Sequence, residues 1–573
     1  MTRRIIRASA QFCAFVFVVL ILVFLADSRY RVLPNSLHQA LPSHHAGSVI
    51  TDVTIAFCSS VNPLSSCRLD PNVWNRVEKD LYLGNGWLSS AYLHVQRKKE
   101  EQLTAKDKVV MGVKISRMDP SQGQREDDNE IWESRPGGIY ISRSSKRHDS
   151  DSDRAVTAID VLFGSDAVDP RLGWQLQQMP LLVDGGDAMR SPRLSVRHGR
   201  PKTDTSPPTP RVRKDGKFKI LQISDAHLST GVGACRDAIG PGNEASAHCE
   251  ADPRTLEFVE SILDDEKPDL VVLSGDQVEG PMAPDTQSAI FKIAAPLIER
   301  SIPYAAIFGN HDNEGIHSLP RAVQMVLMEN LPFSLARRGP EELAGVGNYY
   351  VEVLAPGSQH SALTVYLLDT HSLTPDEKHY RGYDWLKQDQ INWFQRTAQG
   401  LKKNHGKYSH IHMDMAFIHI PLPEFGDRSN KWTAGRWAEP VTAPGFNSHF
   451  YDALAEEGVV AVGCGHDHVN DYCALRPHKA TTRDDKAEAN TNQHPAATDK
   501  KDHLGPWMCY AGGSGFGGYG GYGGFHRRVR VWEMDTNAGR LVTWKRVECC
   551  GAETKEKVDE ITLVEGGTVI APP

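Results

Sequence analysis

Between Lys217 and His468 five apolar runs each end abruptly in polar side chains able to bind a metal or carry a proton. The run "QIS" gives way to Asp225-Ala226-His227, "VLSG" to Asp276, and "AIFG" to Asn310-His311-Asp312. "AFI" ends at His419, and "VGCG" at His466-Asp467-His468. Such residues are poor core material, and in open α/β sheets the loops at strand C-termini line the ligand crevice. The pattern therefore favours a fold in which several strand ends converge. Each cluster alone has an ordinary explanation: His419 as a hydrogen-bonded core histidine, Asp276 as a helix cap or turn residue, Asp225-x-His227 as neighbours on one extended face. Their conjunction at five strand ends does not.

The segments between these clusters alternate. "FKILQIS" is a strand, "RTLEFVESILDDEK" an amphipathic helix with Leu256, Val259, Ile262 and Leu263 on one face, and "DLVVLS" a buried strand. "DTQSAIFKIAAPLIER" is a helix with an Asp cap, which Pro296 should kink in its last turn. Strands "YAAIF", "LTVYLLD", "MAFIHI" and "VVAVGCG" and helices "DWLKQDQINWFQRTAQGLKK" and "HFYDALAEEG" continue the series. This is an α/β domain.

The chain opens differently. "MTRRIIR" precedes an apolar stretch from about Ala8 to Ala26, long enough as helix to approach a hydrocarbon core of ~30 Å. We read residues 1–26 as a cytosolic stub and uncleaved transmembrane signal anchor, with a removable signal peptide ending near Ala26-Asp27-Ser28 as the alternative. The positive-inside rule then leaves Arg3, Arg4 and Arg7 in the cytosol, which Arg29 and Arg31 oppose. The expected location is a single-pass protein of the secretory pathway, endoplasmic reticulum or vacuole, with the bulk of the chain lumenal, or a secreted form if cleaved. Residues 27–50 read as a stalk, 51–198 as a β-rich N-terminal domain of short β-branched and aromatic runs, and 199–216 as a Pro-rich linker. The α/β domain spans 217–550 and a tail 551–573. Within it 477–503 lacks large apolar side chains and is expected to be a disordered insertion. The run "AGGSGFGGYGGYGG" at 511–524 is either a flexible linker or a glycine-built loop where backbone passes close to something; its place inside a folded unit favours the loop.

A net charge of -8 gives no reason to expect a nucleic-acid surface. None of the ten cysteines forms a C-x-x-C pair, which argues against a zinc ribbon or thioredoxin-like site. Cys58 with Cys67, Cys235 with Cys249 and Cys473 with Cys509 are candidate bridges, although sequence leaves the connectivity open. The chain has no N-x-S/T glycosylation acceptor.

Carboxylate oxygen mixed with imidazole nitrogen suits manganese, iron or zinc better than calcium. Two divalent or trivalent ions of that kind, ~3.5–4 Å apart, would hold a phosphoryl group and lower the pKa of a bridging water toward neutrality. A hydroxide nucleophile then needs no catalytic serine or cysteine, and the chain has neither a G-x-S-x-G elbow nor a P-loop.

The order D-x-H, G-D, G-N-H-D, H, G-H-x-H resembles that of the calcineurin-like metallophosphoesterases. "KILQISDAHLSTGVGACRD", "EKPDLVVLSGDQVEG", "GGYGGFHRRVRV", "WESRPGGIYISRS" and "AVTAIDVLFGSDAV" are similar to the fungal membrane-linked phosphatases known as dosage-dependent cell-cycle regulators. The resemblance implies an α/β fold whose β-sandwich is flanked by helices, here preceded by the small β-rich domain and the transmembrane helix. It also implies a metal-dependent phosphatase attacking phosphomonoesters, phosphoprotein foremost, with metal-bound hydroxide. Phosphodiester hydrolysis on the same core, or a membrane-tethered binding module with structural metals, are the alternatives. By position, Asp225, His227, Asp276 and His468 would hold one ion, with Asp276 bridging to a second completed by Asn310, His419 and His466. His311 would donate a proton to the leaving group, and Asp312 would orient His311 or serve only as a turn carboxylate. One departure is informative: Glu279 stands where purple acid phosphatases carry a metal-binding tyrosine, so no tyrosinate–iron colour is expected.

Overall fold

The computed structural model describes residues 47–572 except 60–66, 87, 105, 122–130, 145–153, 184–187, 202–207, 241–243, 247, 406–410, 477–503, 522–523 and 549–555; nearer the N-terminus it describes only Phe15, Val18 and Val19. All of the expected anchor but Phe15, Val18 and Val19, nearly all of the stalk and the expected disordered insertion therefore lie outside the described residues. Among the described residues no helix is long and apolar enough to cross a membrane. The chain divides into two compact units, Met1–Asp204 and Thr205–Pro573.

The first unit repeats one motif three times. Strands β1 (Ser48–Ser59), β2 (Trp74–Asp80) and β3 (Ser89–Lys99) form an antiparallel sheet in the order 1-3-2. Strands β4 (Val109–Ile115), β5 (Trp132–Arg135) and β6 (Ile139–Ser144) follow as 4-6-5. Strands β7 (Val156–Phe163), β8 (Trp174–Leu176) and β9 (Pro192–His198) close the unit as 7-9-8. The second strand of each sheet opens on a tryptophan, and the inward faces of all three sheets share one core that includes Val53, Val113, Ile139, Val161 and Leu194. Strand β1 starts at Ser48, so the boundary placed at residue 50 falls inside a strand whose Val49 and Ile50 are fully buried.

In the second unit the order is β10 (Lys217–Ile223), α1 (Ala251–Glu266), β11 (Leu270–Ser274), α2 (Thr286–Glu299), β12 (Tyr304–Ile307) and α3 (Arg321–Glu329). Next come β13 (Tyr349–Leu354), β14 (Ser361–Leu367), α4 (Gln388–His405), β15 (Met413–Phe417), β16 (Lys431–Thr433), α5 (Phe450–Glu456) and β17 (Ala461–Cys464). The chain ends with β18 (Cys473–Leu475), β19 (Trp507–Tyr510), β20 (Arg528–Asp535), β21 (Arg540–Val547), β22 (Val558–Glu565) and β23 (Thr568–Val569). Asp285 caps α2 by accepting from the Ser288 N–H at 3.1 Å, and the helix continues past Pro296 to Glu299. Two seven-stranded sheets result, ordered 12-11-10-20-21-22-23 and 13-14-15-17-19-18-16. They share a core in which Phe218, Val272 and Trp532 of the first meet Val365, Phe417 and Trp507 of the second. Helices α4 and α5 bury Phe394 and Phe450 with Tyr366 and Val462 on the other face of the second sheet.

Two boundaries need correction. Residues 558–569 are no tail: β22 and β23 pair in sequence onto β21 and bury Leu563 and Val564. The end of the linker also belongs to the fold, since Val212 is buried and bonded to Leu354 at 2.9 Å. Both stretches were too short and too charged to announce a core role by periodicity. The structure pairs Cys58 with Cys67, Cys235 with Cys249 and Cys473 with Cys509.

A buried ionic node ties helix to sheet. The Glu266 carboxylate accepts from Lys219 Nζ at 2.8 Å, Arg546 Nη1 at 2.6 Å and Trp544 Nε1 at 3.1 Å. Burial alone would raise its pKa, but Lys219, Arg546 and Trp544 hold it below the ordinary 4.5. Removing one partner of such a pair leaves charge uncompensated, so Glu266→Gln should cost ~3 kcal/mol of unfolding free energy. Because the folded pKa is depressed, the difference from wild type should be full at neutral pH and shrink as pH falls below about 4.5, which urea melts at several pH values will read.

Candidate metal centre

The strands that end in the five polar clusters come from both sheets. β10, β11 and β12 run parallel in the first, and β15 and β17 run parallel in the second. Their C-terminal loops meet. Asp225, His227, Asp276 and His466 all have left-handed backbone, with φ between 47° and 79°. For residues other than glycine that conformation costs ~1–2 kcal/mol each, and the fold tolerates it four times in one place. A strand that must stop and turn its last side chains into a common cleft needs such a reversal.

Among the described residues two groups place one ligand atom from each member within 4.8 Å of the others: Asp225, His227 and His468, and Asp276, His419 and His466. All six are buried. His468 Nε2 lies 3.4 Å from Asp225 Oδ1, and His419 Nε2 lies 3.1 Å from Asp276 Oδ2. Asp276 Oδ2 is also 3.8 Å from His227 Nε2, which puts this carboxylate between the groups. Asn310 Oδ1 lies 3.3 Å from His419 Nε2 and so joins the second.

The outer nitrogens of three rings are already committed. His227 Nδ1 faces Glu279 Oε2 at 2.5 Å, His419 Nδ1 faces the Ser274 carbonyl at 2.9 Å, and His468 Nδ1 faces the Tyr519 carbonyl at 2.8 Å. Each acceptor fixes the N–H on Nδ1 and leaves a lone pair on Nε2 directed inward. Consequently the Nε2 atoms of His227 and His468 present lone pairs to one another at 3.1 Å. Among the described residues the buried His466 Nε2 has no hydrogen-bond partner. Opposed lone pairs and an orphaned imidazole nitrogen beside buried carboxylates fit bound cations, and the N/O donor set fits transition metals. The electrostatics agree. Burial would raise the Asp225 pKa, yet His468 and His419 hold it at about 2; burial would lower that of His419, yet Asp276 and Asp225 raise it, so its Nε2 takes a positive charge, proton or metal. The two carboxylates demand positive charge in the cleft. His466, by contrast, is driven down to about 3 by burial and by His419 and is neutral, with its lone pair available.

His311 stands beside this set, its ring 5.2 Å from that of His227, with its backbone N–H on Asp276 Oδ1 at 2.7 Å. Of the two readings of Asp312, the structure excludes the one in which it orients His311 and agrees with the carboxylate bonded to backbone. Asp312 is fully buried and accepts backbone N–H bonds from Gly309 at 2.7 Å, Asp276 at 2.9 Å and Val278 at 3.0 Å. It clamps the loops of β11 and β12 and does not reach the ring. Glu314, which sequence reasoning missed, takes that place, its Oε2 2.6 Å from His311 Nδ1. The signal was a carboxylate three residues after the histidine. Glu279 was noticed only as a tyrosine replacement; its partnership with His227, and with Arg236 at 3.2 Å, was not.

The glycine run is a loop packed on the ligands. A Cβ on Gly515 would lie 1.8 Å from the Ala226 carbonyl oxygen, and one on Gly518 would lie 2.6 Å from both His227 Cδ2 and His468 Cε1. Tyr519, next in sequence, stacks on His468 at 4.0 Å. Glycine is required there because the backbone itself is the wall of the site.

Comparison with known proteins agrees with this geometry. A family profile described as Calcineurin-like phosphoesterase matches residues 218–470. Phosphatase DCR2 of Saccharomyces cerevisiae is 36% identical over 427 residues, 72% of this chain and 67% of that protein. An uncharacterised protein of Schizosaccharomyces pombe is 28% identical over 90% of each chain. Probable inactive purple acid phosphatase 14 of Arabidopsis thaliana is 35% identical over 59% of this chain and 82% of that protein.

Gly518→Ala should push the His227 and His468 rings apart and lower bound metal by roughly tenfold in affinity, a loss of the size seen when groups that orient ligands are disturbed. Elemental analysis after metal-replete expression measures it, with circular dichroism to show that the fold is retained.

Proposed function

The chain belongs to the calcineurin-like phosphoesterases, and from that premise we propose that it is a two-metal phosphatase acting on phosphomonoesters, phosphoprotein among them. The observation that carries the reading is the completeness of the set: two buried ligand groups, a carboxylate between them and a histidine with its own carboxylate partner at the rim. The kinship with a protein named a phosphatase supports it.

When bound, the two ions would supply Lewis acidity, screening the phosphoryl oxygens and acidifying a water to make the nucleophile. The chain does the rest. Asp225, His227 and His468 on one side and Asp276, Asn310, His419 and His466 on the other fix the position of that charge. Glu279, the Ser274 carbonyl and the Tyr519 carbonyl hold the ring tautomers that face it. His311 is one-third exposed and so reaches substrate. Burial works against its protonation, but Glu314 and Asp276 outweigh it and raise its pKa to about 9. The Glu314 carboxylate on Nδ1 favours the protonated ring, the form that would give a proton to the leaving-group oxygen as a general acid.

We place the protein in the secretory pathway, anchored by its N-terminal apolar run. The three disulfides, one of them between the buried neighbours Cys473 and Cys509, support an oxidising compartment.

His311→Ala should lower kcat on p-nitrophenyl phosphate by ~10²–10⁴-fold while metal content stays at wild-type level. Release of metal by that substitution would show His311 to be a ligand and remove the acid from the scheme. Hydrolysis of bis-p-nitrophenyl phosphate in preference to the monoester would replace the phosphatase with a phosphodiesterase.

A further inference from the structure

The mechanism above uses one proton donor at the rim, and it stands on the His227 side. The His466 side has a donor of its own. Tyr383 packs edge-on against His466, ring centroids 4.3 Å apart at 88°. Its ring is half-buried, and no hydrogen bond engages its hydroxyl among the described residues. The His466 ring it packs on belongs to the Asp276 and His419 group, so the tyrosine stands beside the second set of ligands. A phenolic O–H is a hydrogen-bond donor.

The segment that carries Tyr383 is braced at both ends. Leu373 and Tyr383 form an antiparallel bridge, flanked by bonds from Thr374 N to the Gly382 carbonyl at 2.9 Å and from Asp384 N to the Ser372 carbonyl at 2.8 Å. Farther out, Tyr380 packs on Trp385 at 4.7 Å and on Phe446 at 5.5 Å. A loop merely covering the site has no need of such support. A donor that must meet a substrate atom does, because rotational freedom would be lost again on binding.

We propose that Tyr383 is a substrate-binding residue whose hydroxyl donates a hydrogen bond to a phosphoryl oxygen of the substrate from the His466 side of the site. The proposal rests on the phosphoester reading of the site. It makes the phosphoryl group, rather than the leaving group, the part recognised from the His466 side, and it accounts for a half-buried polar atom that the metal ligands leave unused.

Y383F in the full chain, loaded with manganese or zinc, removes the donor and keeps the ring against His466. Metal content should be unchanged, and affinity for inorganic phosphate, read by calorimetry, should fall about tenfold, as for a lost hydrogen bond to a charged group. Phosphate affinity within about twofold of wild type would overturn the proposal, as would loss of metal, which would reduce Tyr383 to a support for His466. Tyrosine-dependent phosphate binding by a wild-type protein that hydrolyses no monoester would leave this assignment standing and sink the hydrolytic one. Equal turnover, KM and phosphate affinity in both proteins would do the reverse.

Discussion

Asp225 and Asp276 are buried where the strand ends of two sheets meet, and two unpaired carboxylates there would cost several kcal/mol each, a large part of the ~5–15 kcal/mol that holds a domain together. Their compensation by the surrounding imidazoles is therefore a condition of the fold. The left-handed backbone at Asp225, His227, Asp276 and His466 is a further local cost at the same place. Asp312 offsets part of it by holding three backbone amides from two loops, and Glu279 and Glu314 each hold a ring in one orientation. The site is thus a ring of small obligations, each side chain fixed by a neighbour that is itself fixed.

Much of this was legible before any coordinates. Ligand chemistry restricts residue type severely, and strand ends are marked by apolar runs, so Asp225, His227, Asp276, Asn310, His311, His419, His466 and His468 stood out and the structure gathers them. Asp312 stayed open between two roles because sequence shows which groups are adjacent and hides which way they face: Asp312 turns inward to the backbone, and Glu314, two residues on, turns back to the imidazole. The strands after residue 550 were missed because edge strands with many charges lack a clean alternation, and β22 buries only Leu563 and Val564.

The first unit hid its threefold plan for a related reason. What repeats is a pairing scheme, with the third strand of each motif between the first two, and pairing schemes leave little trace in residue identity. Tryptophans 74, 132 and 174 are that trace. Lys114 lies over Trp132 at 4.3 Å, and Arg171 over Trp174 at 3.8 Å, so in two motifs the ring is capped by a cation.

Strand β20 lies between β10 and β21 in the sheet that carries Asp225, and its residues pair with partners such as Lys217, whose side chain meets Glu533 316 positions later. The order of synthesis thus runs against the order of assembly. A ribosome delivers every histidine and carboxylate of the centre well before the strand that props up the first of them, and the glycine loop that walls them in arrives only just ahead of it. Until β20 joins the sheet the emerging polypeptide is a string of candidate ligands without a cage.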